Sequence, residues 1–277
     1  MTLKQILPGL ALALALALAA GGTAGAQSVA STGQSFVTVE LLAGPPAENG
    51  TRMAGLAFDL AEGWKTYWRS PGAAGVPPEF DWSGSTNLAH AEVLWPTPEV
   101  FESFGIQTVG YGGRVVLPVR LVAERPGEAI AAELELRFGV CREICVLEEA
   151  TLSGRFAPDD SAGALDVAEA LNSLPPSGEH AGLRSATCRI EGAGETRRFE
   201  ARLAFDEPIR MPVVVVEAPK GAWFHHTRTE AAGRALTVRA KLGLADPGAW
   251  VAREAIRFTV LGEGFAAEIE GCAAPGG

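Results

Sequence analysis

The sequence is poor in the residues from which most metal and nucleic-acid sites are built. Its 277 residues include 4 cysteines, 4 histidines and 3 methionines, and three methionines are too few for a thioether copper site. The adjacent histidines His225 and His226 are expected on opposite faces of a strand, where they cannot easily share one metal. Lysine and arginine number 23 against 33 acidic residues, for a net charge of −10. That balance argues against binding to nucleic acid.

Sequence motifs of common hydrolases and nucleotide-binding enzymes are also missing. There is no serine at a nucleophile elbow, no glycine-rich loop for a phosphate and no sustained internal repeat. Paired acids such as Glu148 and Glu149 are expected to form a solvated face. The sequence therefore predicts neither a bound metal nor a cofactor.

Long hydrophobic runs are confined to the N-terminus. Leu10 to Ala20 is an unbroken run of leucine and alanine after a positive start at Lys4. The triplet that ends at Ala26 fits a small-x-small cleavage site, so residues 1–26 are predicted to be a signal peptide. The run is too short to favour a membrane span, and no second long run follows. The mature chain is therefore expected to be soluble and exported to a compartment where disulfides persist.

Short alternating runs, punctuated by 33 glycines and 18 prolines, dominate the rest of the sequence. Alternation with a period of two is typical of strands with one buried face, and few helical patterns interrupt it. We therefore predict an all-β chain. The roughly 250 mature residues correspond to one large or two small domains. The predicted division is a first β domain at 27–157, a helical linker at 158–178 and a second small β-sandwich domain at 179–277.

The most informative stretch is Phe138 to Glu149, FGVCREICVLEE, which holds two of the four cysteines. Between residues 133 and 140, apolar residues at even positions alternate with charged residues at most odd positions. Cys141 has the parity of the charged residues, so its thiol is expected on the solvent side of the strand. A three-residue loop would then set Cys141 and Cys145 opposite each other in a hairpin, within the span of a disulfide.

Three interpretations of this pair are open on the residues alone. The ring that a Cys141–Cys145 bridge closes is tiny, so the bridge removes little loop entropy and stabilises the fold only slightly. A short, exposed bridge is a poor staple and is suited to a redox switch. An edge hairpin locked by an ordinary disulfide is the second interpretation. A metal site is the third interpretation. It ranks last because two thiolates without a second pair or histidine ligands make a weak zinc site.

Aromatic residues gather in the sequence ahead of the cysteine hairpin. The segment Gly63–Gly72 holds three large rings within five residues, and Trp64 and Trp68 are expected to be buried in the core. Residues 101–105 and 109–113 are predicted to be glycine-flanked loops that expose their rings. Two phenylalanines in such a loop need a partner surface, either the sandwich edge or the face that bears the cysteines.

The second half begins with a helical pattern and continues with short strands. Apolar residues between 165 and 174 recur at helical spacing and Pro175 ends the run, which predicts one short helix. After Gly178, seven short runs suit a second small sandwich. Cys188 lies in the first of these runs and Cys272 just after the last. A bridge between them would close a long loop, worth about 4 kcal/mol, and export makes pairing the default.

Four segments together resemble the N-terminal thiol-exchange domain of the DsbD family, and more closely its ScsB-like and stand-alone relatives. The segments are GWKTYWRSPG at 63–72, PPEFDW at 77–82, WPTPEVFESFGIQTVGYGGRVVLPV at 95–119 and VCREICVLEE at 140–149. The resemblance covers residues 35 to 156 and is weaker over the second β domain. The combination of segments is more specific than the Cys-x3-Cys spacing alone.

The resemblance implies an immunoglobulin-like sandwich that exchanges disulfides in the periplasm without a cofactor. Carried over to this sequence, it makes Cys145 the exchanging thiol and Cys141 the resolving thiol. The loop that caps the family's cysteine pair corresponds to residues 102–105, with Phe104 as the first cap candidate and Phe101 as the second. The family's best-known members space these cysteines more widely than this chain does.

The resemblance also implies neighbours and partners for the pair. It places Tyr67, and less directly Trp64, beside the cysteines. It implies a protein-disulfide reductase that passes reducing equivalents from a thioredoxin-like protein to periplasmic client disulfides. Because the chain shows neither the family's membrane domain nor its thioredoxin-like domain, a separate membrane donor would have to supply the electrons.

Two other functions compete with this one. The alternative is a non-enzymatic exported binding or scaffold module in which both cysteine pairs, Cys141–Cys145 and Cys188–Cys272, are structural disulfides. The third hypothesis is metal handling, with copper as one candidate, through the thiols of the first pair. Retention of Cu(I) or Zn(II) by the reduced protein, lost together with the pair, would be its signature.

Overall fold

Strands make up most of the chain, which confirms the predicted all-β class. The computed structural model describes residues 36–46, 50–72, 74–103 and 105–276. The predicted signal peptide and the cap candidate Phe104 lie outside the described residues. Within the described residues, no helix is both long and apolar enough to cross a membrane.

The described residues of the first half form ten strands in two sheets. The strands are β1 (Val37–Pro46), β2 (Thr51–Leu60), β3 (Lys65–Tyr67), β4 (Glu79–Asp81), β5 (His90–Val93), β6 (Glu99–Ser103), β7 (Ile106–Gly112), β8 (Arg114–Val122), β9 (Ile130–Cys141) and β10 (Cys145–Phe156). One sheet has the order β1-β2-β8-β5; the other has the order β10-β9-β3-β7-β6, with β4 also paired to β9. A core that includes Phe58, Trp68 and Phe138 lies between them.

The alternation along β9 fixes which side chains face out. Its residues at even positions from 130 to 140 are buried, whereas Glu133, Glu135 and Arg137 are exposed. Successive side chains of a strand point to opposite faces of the sheet, so Cys141 emerges on the outer face with the charged residues. β10 is the edge strand of this sheet, and its first residue is Cys145.

The second half repeats the two-sheet arrangement with seven strands in its described residues. The strands are β11 (Leu183–Glu191), β12 (Thr196–Phe205), β13 (Val213–Glu217), β14 (Ala222–Ala232), β15 (Ala235–Leu244), β16 (Arg257–Gly262) and β17 (Phe265–Glu270). The sheets have the orders β11-β12-β15-β14 and β13-β16-β17, with a short 3-10 helix at Arg253–Ala255. Phe199, Leu203 and Phe258 are fully buried in the core between them.

A short helix, α1 (Ala164–Asn172), connects the two halves. Its buried Val167 and Ala170 pack against the outer face of the first sheet, on Met53, Ala57 and Val116. The short linking helix predicted from the sequence is therefore confirmed, together with the fold class. The division at residues 157 and 178 stays a prediction.

Two local predictions are wrong. The residues expected to be aromatic loops at 101–105 and 109–113 lie largely in β6 and β7, which pair with each other. Tyr111 is 5% exposed and its hydroxyl donates a hydrogen bond to the carbonyl of Pro96 at 2.8 Å. Gly105 and Gly113 do lie in the turns between strands, with φ of 74° and 64°, whereas Gly110 lies within β7 and lets the Thr66 backbone of β3 approach closely.

The histidine doublet does not follow simple alternation. His226 has a φ of 54°, and the register of β14 shifts between His225 and Arg228. At such a bulge, consecutive side chains no longer alternate between the two faces of the sheet. The two imidazole rings therefore lie 5.3 Å apart, centroid to centroid.

An ion-pair cluster joins the two halves. The Arg69 guanidinium donates two hydrogen bonds of 2.9 Å to the carboxylate of Glu217 on β13 and a further one to Glu268 on β17. Its carbon lies 4.3 Å from the ring centroid of Trp68, which is fully buried. Burial lowers the pKa of Arg69, but the hydrogen bonds and charges of Glu217 and Glu268 outweigh it and raise the pKa overall.

We expect Arg69→Met to destabilise the protein by about 2 kcal/mol, because the partly buried carboxylate of Glu217 loses its counter-charge and that of Glu268 keeps only Arg257, at 3.7 Å. The side chains of Arg69 and Glu217 are only 15% and 20% exposed. Urea unfolding should show the loss. The matched control is Arg120→Met, which breaks an ion pair with Glu92 whose side chains are 45% and 46% exposed; it should cost less than about 1 kcal/mol. Equal costs for both variants would contradict a stabilising role for the Arg69 cluster.

Candidate functional site

The two cysteines of the hairpin face each other at its tip. Cys141 ends β9, Cys145 begins β10, and the two are direct partners in the antiparallel register. Their Cα atoms are 4.1 Å apart and their sulfurs form a disulfide. In the connecting loop, the Arg142 amide donates a hydrogen bond to the Ile144 carbonyl at 3.1 Å. The hairpin therefore presents its bridge at the end of an edge strand, with Cys145 exposed and Cys141 half-buried.

The neighbouring strand β3 extends this pair into a row across the sheet. Lys65 is the register partner of Cys141 on one side and of Gly112 on the other. Directly opposed antiparallel residues send their side chains to the same face, with Cβ atoms about 4.5–5.5 Å apart. Lys65, Cys141 and Cys145 therefore stand side by side on the outer face. Tyr67, two residues beyond Lys65, shares that face.

Tyr67 makes a polar contact with the exchanging-thiol candidate. Its hydroxyl oxygen lies 3.3 Å from Sγ of Cys145. A disulfide sulfur carries no hydrogen, so the phenol must be the donor in this bond. Burial raises the pKa of Tyr67, which keeps the phenol protonated at neutral pH. Tyr67 can therefore donate to the sulfur whether it is bonded to Cys141, attacking or leaving.

Three glycines make room for Tyr67, which is only 6% exposed. A Cβ added at Gly139 would lie 2.9 Å from one edge of the Tyr67 ring, and a Cβ at Gly75 would lie 2.9 Å from the other edge. A Cβ at Gly110 would come within 2.0 Å of the Thr66 carbonyl oxygen. A side chain at Gly139 would displace the Tyr67 ring, one at Gly75 would displace both Pro71 and that ring, and one at Gly110 would separate β3 from β7.

A cleft of about 170 Å³ opens beside the disulfide. Both cysteines line it, together with Lys65, Thr66, Tyr67, Ala74, Phe101, Ile106, Thr108, Arg142 and Glu143. The Lys65 ammonium lies 4.2 Å from the centroid of the Phe101 ring, a cation–π contact. The second cap candidate, Phe101, is therefore in the cleft.

Comparison with known proteins addresses the first half of the chain most directly. Residues 34–157 match the family model described as the thiol:disulfide interchange protein DsbD, N-terminal. This part of the chain is DsbD N-terminal-like. A crystal structure of the N-terminal periplasmic domain of ScsB from Proteus mirabilis matches more of the fold, with a TM-score of 0.70 at 22% identity. The match covers 90% of this chain and 98% of that chain. No curated protein matches this chain.

The sequence predicted several aromatic residues near the cysteine pair. Phe101 and Tyr67 line the cleft, but Trp64 does not. Trp64 directly precedes β3 and faces the core, where it is 9% exposed. Its ring stacks on Phe36, with the two ring centroids 3.9 Å apart. Strand alternation separates it from Tyr67, whose position differs by an odd number of residues. Trp64 is thus a core residue and does not line the cleft.

The rim of the DsbD N-terminal site exposes apolar side chains. Ile144 is 67% exposed, Leu147 is 61% exposed and Ile106 is 48% exposed. All three lie on elements that border the cysteine pair: the hairpin loop, β10 and β7. Exposed apolar side chains that cluster at one site are typical of a surface that another protein covers.

The second cysteine pair lies beyond the residues matched by the family model. Cys188 of β11 is bonded to Cys272, which follows β17, with a Cα–Cα distance of 5.6 Å. Cys188 is 1% exposed and belongs to the core of the second half. Within the described residues, no group of three or more histidine, cysteine or acidic side chains is arranged to hold a metal.

Proposed function

We propose that this chain is a periplasmic thiol–disulfide exchange protein. It passes reducing equivalents from a membrane or thioredoxin-like donor to client disulfides through Cys141 and Cys145. The observation that carries the proposal is the exposed disulfide at the hairpin tip, within residues that match the DsbD N-terminal family model. The export signal predicted at residues 1–26 supports the periplasmic location.

The exchange proceeds in two displacements. With the pair reduced, the Cys145 thiolate attacks one sulfur of the client disulfide, forms a mixed disulfide and releases the first client thiolate. The Cys141 thiolate then attacks Sγ of Cys145, re-forms the bridge and releases the second client thiolate. The pair loses two electrons, the client gains them, and the client thiolates take up protons from water. A dithiol donor restores the pair by the same steps in reverse.

Access and hydrogen bonding favour Cys145 as the sulfur that meets the client. Its side chain is exposed whereas that of Cys141 is half-buried, and exchange rates depend on access. The Tyr67 phenol points at Sγ of Cys145 and can stabilise negative charge on it as it attacks or leaves. Cys141, which is bonded to Cys145 and less exposed, would then resolve the mixed disulfide.

The surroundings of the pair suit protein partners. The exposed Ile144, Leu147 and Ile106 form an apolar rim that a thioredoxin-like protein could cover. Phe101, and Phe104 by family resemblance, would shield the pair until such a partner displaces them. Shielding of this kind limits oxidation by small molecules and restricts exchange to partners that dock.

The reduction potential of the Cys141–Cys145 pair tests this function. We expect a value between about −120 and −270 mV, the range of proteins that exchange disulfides. The measurement equilibrates the mature protein in glutathione or dithiothreitol redox buffers and determines each cysteine's state by mass spectrometry. Cys188–Cys272 serves as the internal control and should titrate below about −300 mV, like a structural disulfide. A value below about −300 mV for Cys141–Cys145 would instead favour the binding or scaffold module.

A further inference from the structure

The two sulfurs of the hairpin have chemically different neighbours. Cys145 is contacted by the neutral phenol of Tyr67 at 3.3 Å. Cys141 is paired across the sheet with Lys65, whose side chain shares its face. Lys65 on β3 is therefore on the strand next to Cys141, whereas Cys145 on β10 is one strand farther away. This order holds when the pair is reduced.

The Lys65 side chain is held over the cleft by an aromatic ring. Its Nζ atom lies 4.2 Å from the centroid of Phe101. The next position in the row is Gly112, and a Cβ there would lie 3.9 Å from the edge of the Phe101 ring. The Phe101 ring therefore lies over this end of the row, beside both Gly112 and Lys65. An aromatic quadrupole attracts a cation without neutralising its charge, so the full positive charge stays available to a thiolate.

The other charged or titratable groups on this face come from every surrounding element. They are Arg142 and Glu143 of the hairpin loop, Tyr67 of β3, Glu79 and Asp81 of β4, Glu99 of β6, Glu133 and Glu135 of β9, and the Arg137–Glu149 ion pair of β9 and β10. Arg142 and Glu143 have opposite charges and adjoin the pair together. Arg137 and Glu149 neutralise each other at 3.0 Å. Lys65 is therefore the cation that the sheet register itself places beside Cys141.

We propose that Lys65 is a positioning residue of the exchange site, whose ammonium stabilises the Cys141 thiolate and so promotes resolution of the mixed disulfide. The inference rests on the proposed function. In the resolving step, the Cys141 thiolate displaces the client sulfur from Cys145, and no other reactant is needed. Opposite charge within a few ångströms favours the ionised form of a thiol. In this role Lys65 acts through Cys141.

The test measures the thiolate of each cysteine directly. The reduced mature protein is alkylated with iodoacetamide from pH 5 to pH 10, and mass spectrometry of the peptides gives separate rates for Cys141 and Cys145. In Lys65→Met, the alkylation profile of Cys141 should shift to higher pH. Its rate at pH 7 should fall about threefold to tenfold, whereas the rate of Cys145 should change less than about twofold.

Two controls isolate the charge. Lys65→Arg keeps a cation and should retain the wild-type profile of Cys141 within about twofold. Lys220→Met removes an exposed lysine from the second half and should leave both profiles unchanged. A Cys141 rate in Lys65→Met within about twofold of wild type would overturn the proposal. Equal slowing of both cysteines would overturn it as well, because the effect would not belong to Cys141.

The consequence for exchange is read with oxidised glutathione as the probe. Reduced Lys65→Met should form the Cys145–glutathione mixed disulfide at nearly the wild-type rate, and the adduct should persist about threefold longer or more. An unchanged lifetime would count against the resolving role. The two proposals can fail separately. A potential below about −300 mV in the wild-type protein would refute the proposed function. Alkylation needs no exchange partner, so the effect of Lys65 on Cys141 would still be measured.

Discussion

Cys145→Ser should abolish reduction of a client disulfide, lowering its rate by at least about a thousandfold. A serine hydroxyl is not ionised at neutral pH and does not displace a sulfur from a disulfide. Cys141 is half-buried and lacks the phenol contact that Cys145 receives from Tyr67, so it should not substitute as the attacking thiol. The measurement is a single-turnover assay with the reduced protein and an oxidised thioredoxin-like protein.

Cys141→Ser is the matched variant and should behave differently. It keeps the attacking thiol and loses the resolving one, so it should form a mixed disulfide through Cys145 that accumulates instead of turning over. Non-reducing electrophoresis and mass spectrometry would identify the bonded residue. Full exchange by Cys145→Ser, or a mixed disulfide on Cys141 in that variant, would contradict the assignment of roles.

Loss of the Cys188–Cys272 bridge should cost about 4 kcal/mol of unfolding free energy, whereas loss of Cys141–Cys145 should cost about 2 kcal/mol or less. The two bridges span sequence separations of 84 and 4 residues, and the entropy removed from the unfolded chain grows with that loop. Cys188 is also 1% exposed in the core, so Cys188→Ala loses packing as well. Urea unfolding of the two double-alanine variants gives both numbers.

The comparison of the two double variants has a clear contrary result. Equal losses would mean that the hairpin bridge stabilises the first half as a structural disulfide does. That outcome would count against the exchange function and in favour of the scaffold module. A loss of about 1 kcal/mol or less in Cys188→Ala/Cys272→Ala would be close to the uncertainty of the extrapolated free energy of unfolding. It would show that the stability of the second core does not depend on its bridge.

The sequence predicted the cysteine hairpin because the relevant signal is local. Alternation along residues 133–140 sets the face of Cys141, and the loop length sets its partner. The same alternation could have excluded Trp64 from the cleft, since it differs in parity from Tyr67. The seven strands of the second half were also predicted from alternation, and each is present in the structure.

The rest depends on pairing between distant segments. Nothing in the sequence shows that Lys65 stands opposite Cys141, because the register of β3 on β9 joins residues 76 positions apart. The strands β6 and β7 were mistaken for loops since their glycines resemble turn residues. The Tyr67 ring explains why Gly139 occurs within a strand, and the close approach of the Thr66 carbonyl explains Gly110. A bulge likewise brings His225 and His226 together against the expected alternation.

The glycines around Tyr67 also shape how this site can evolve. Gly75, Gly110 and Gly139 have no chemical part in exchange, yet a single added methyl at any of them would overlap the ring or the backbone that carries it. In a saturation mutagenesis screen for exchange, these positions should be as intolerant as the cysteines. The variable positions should be the exposed Ile144 and Leu147. Lineages can therefore change which proteins they recognise by substituting the rim, while the geometry of the sulfur chemistry is inherited unchanged.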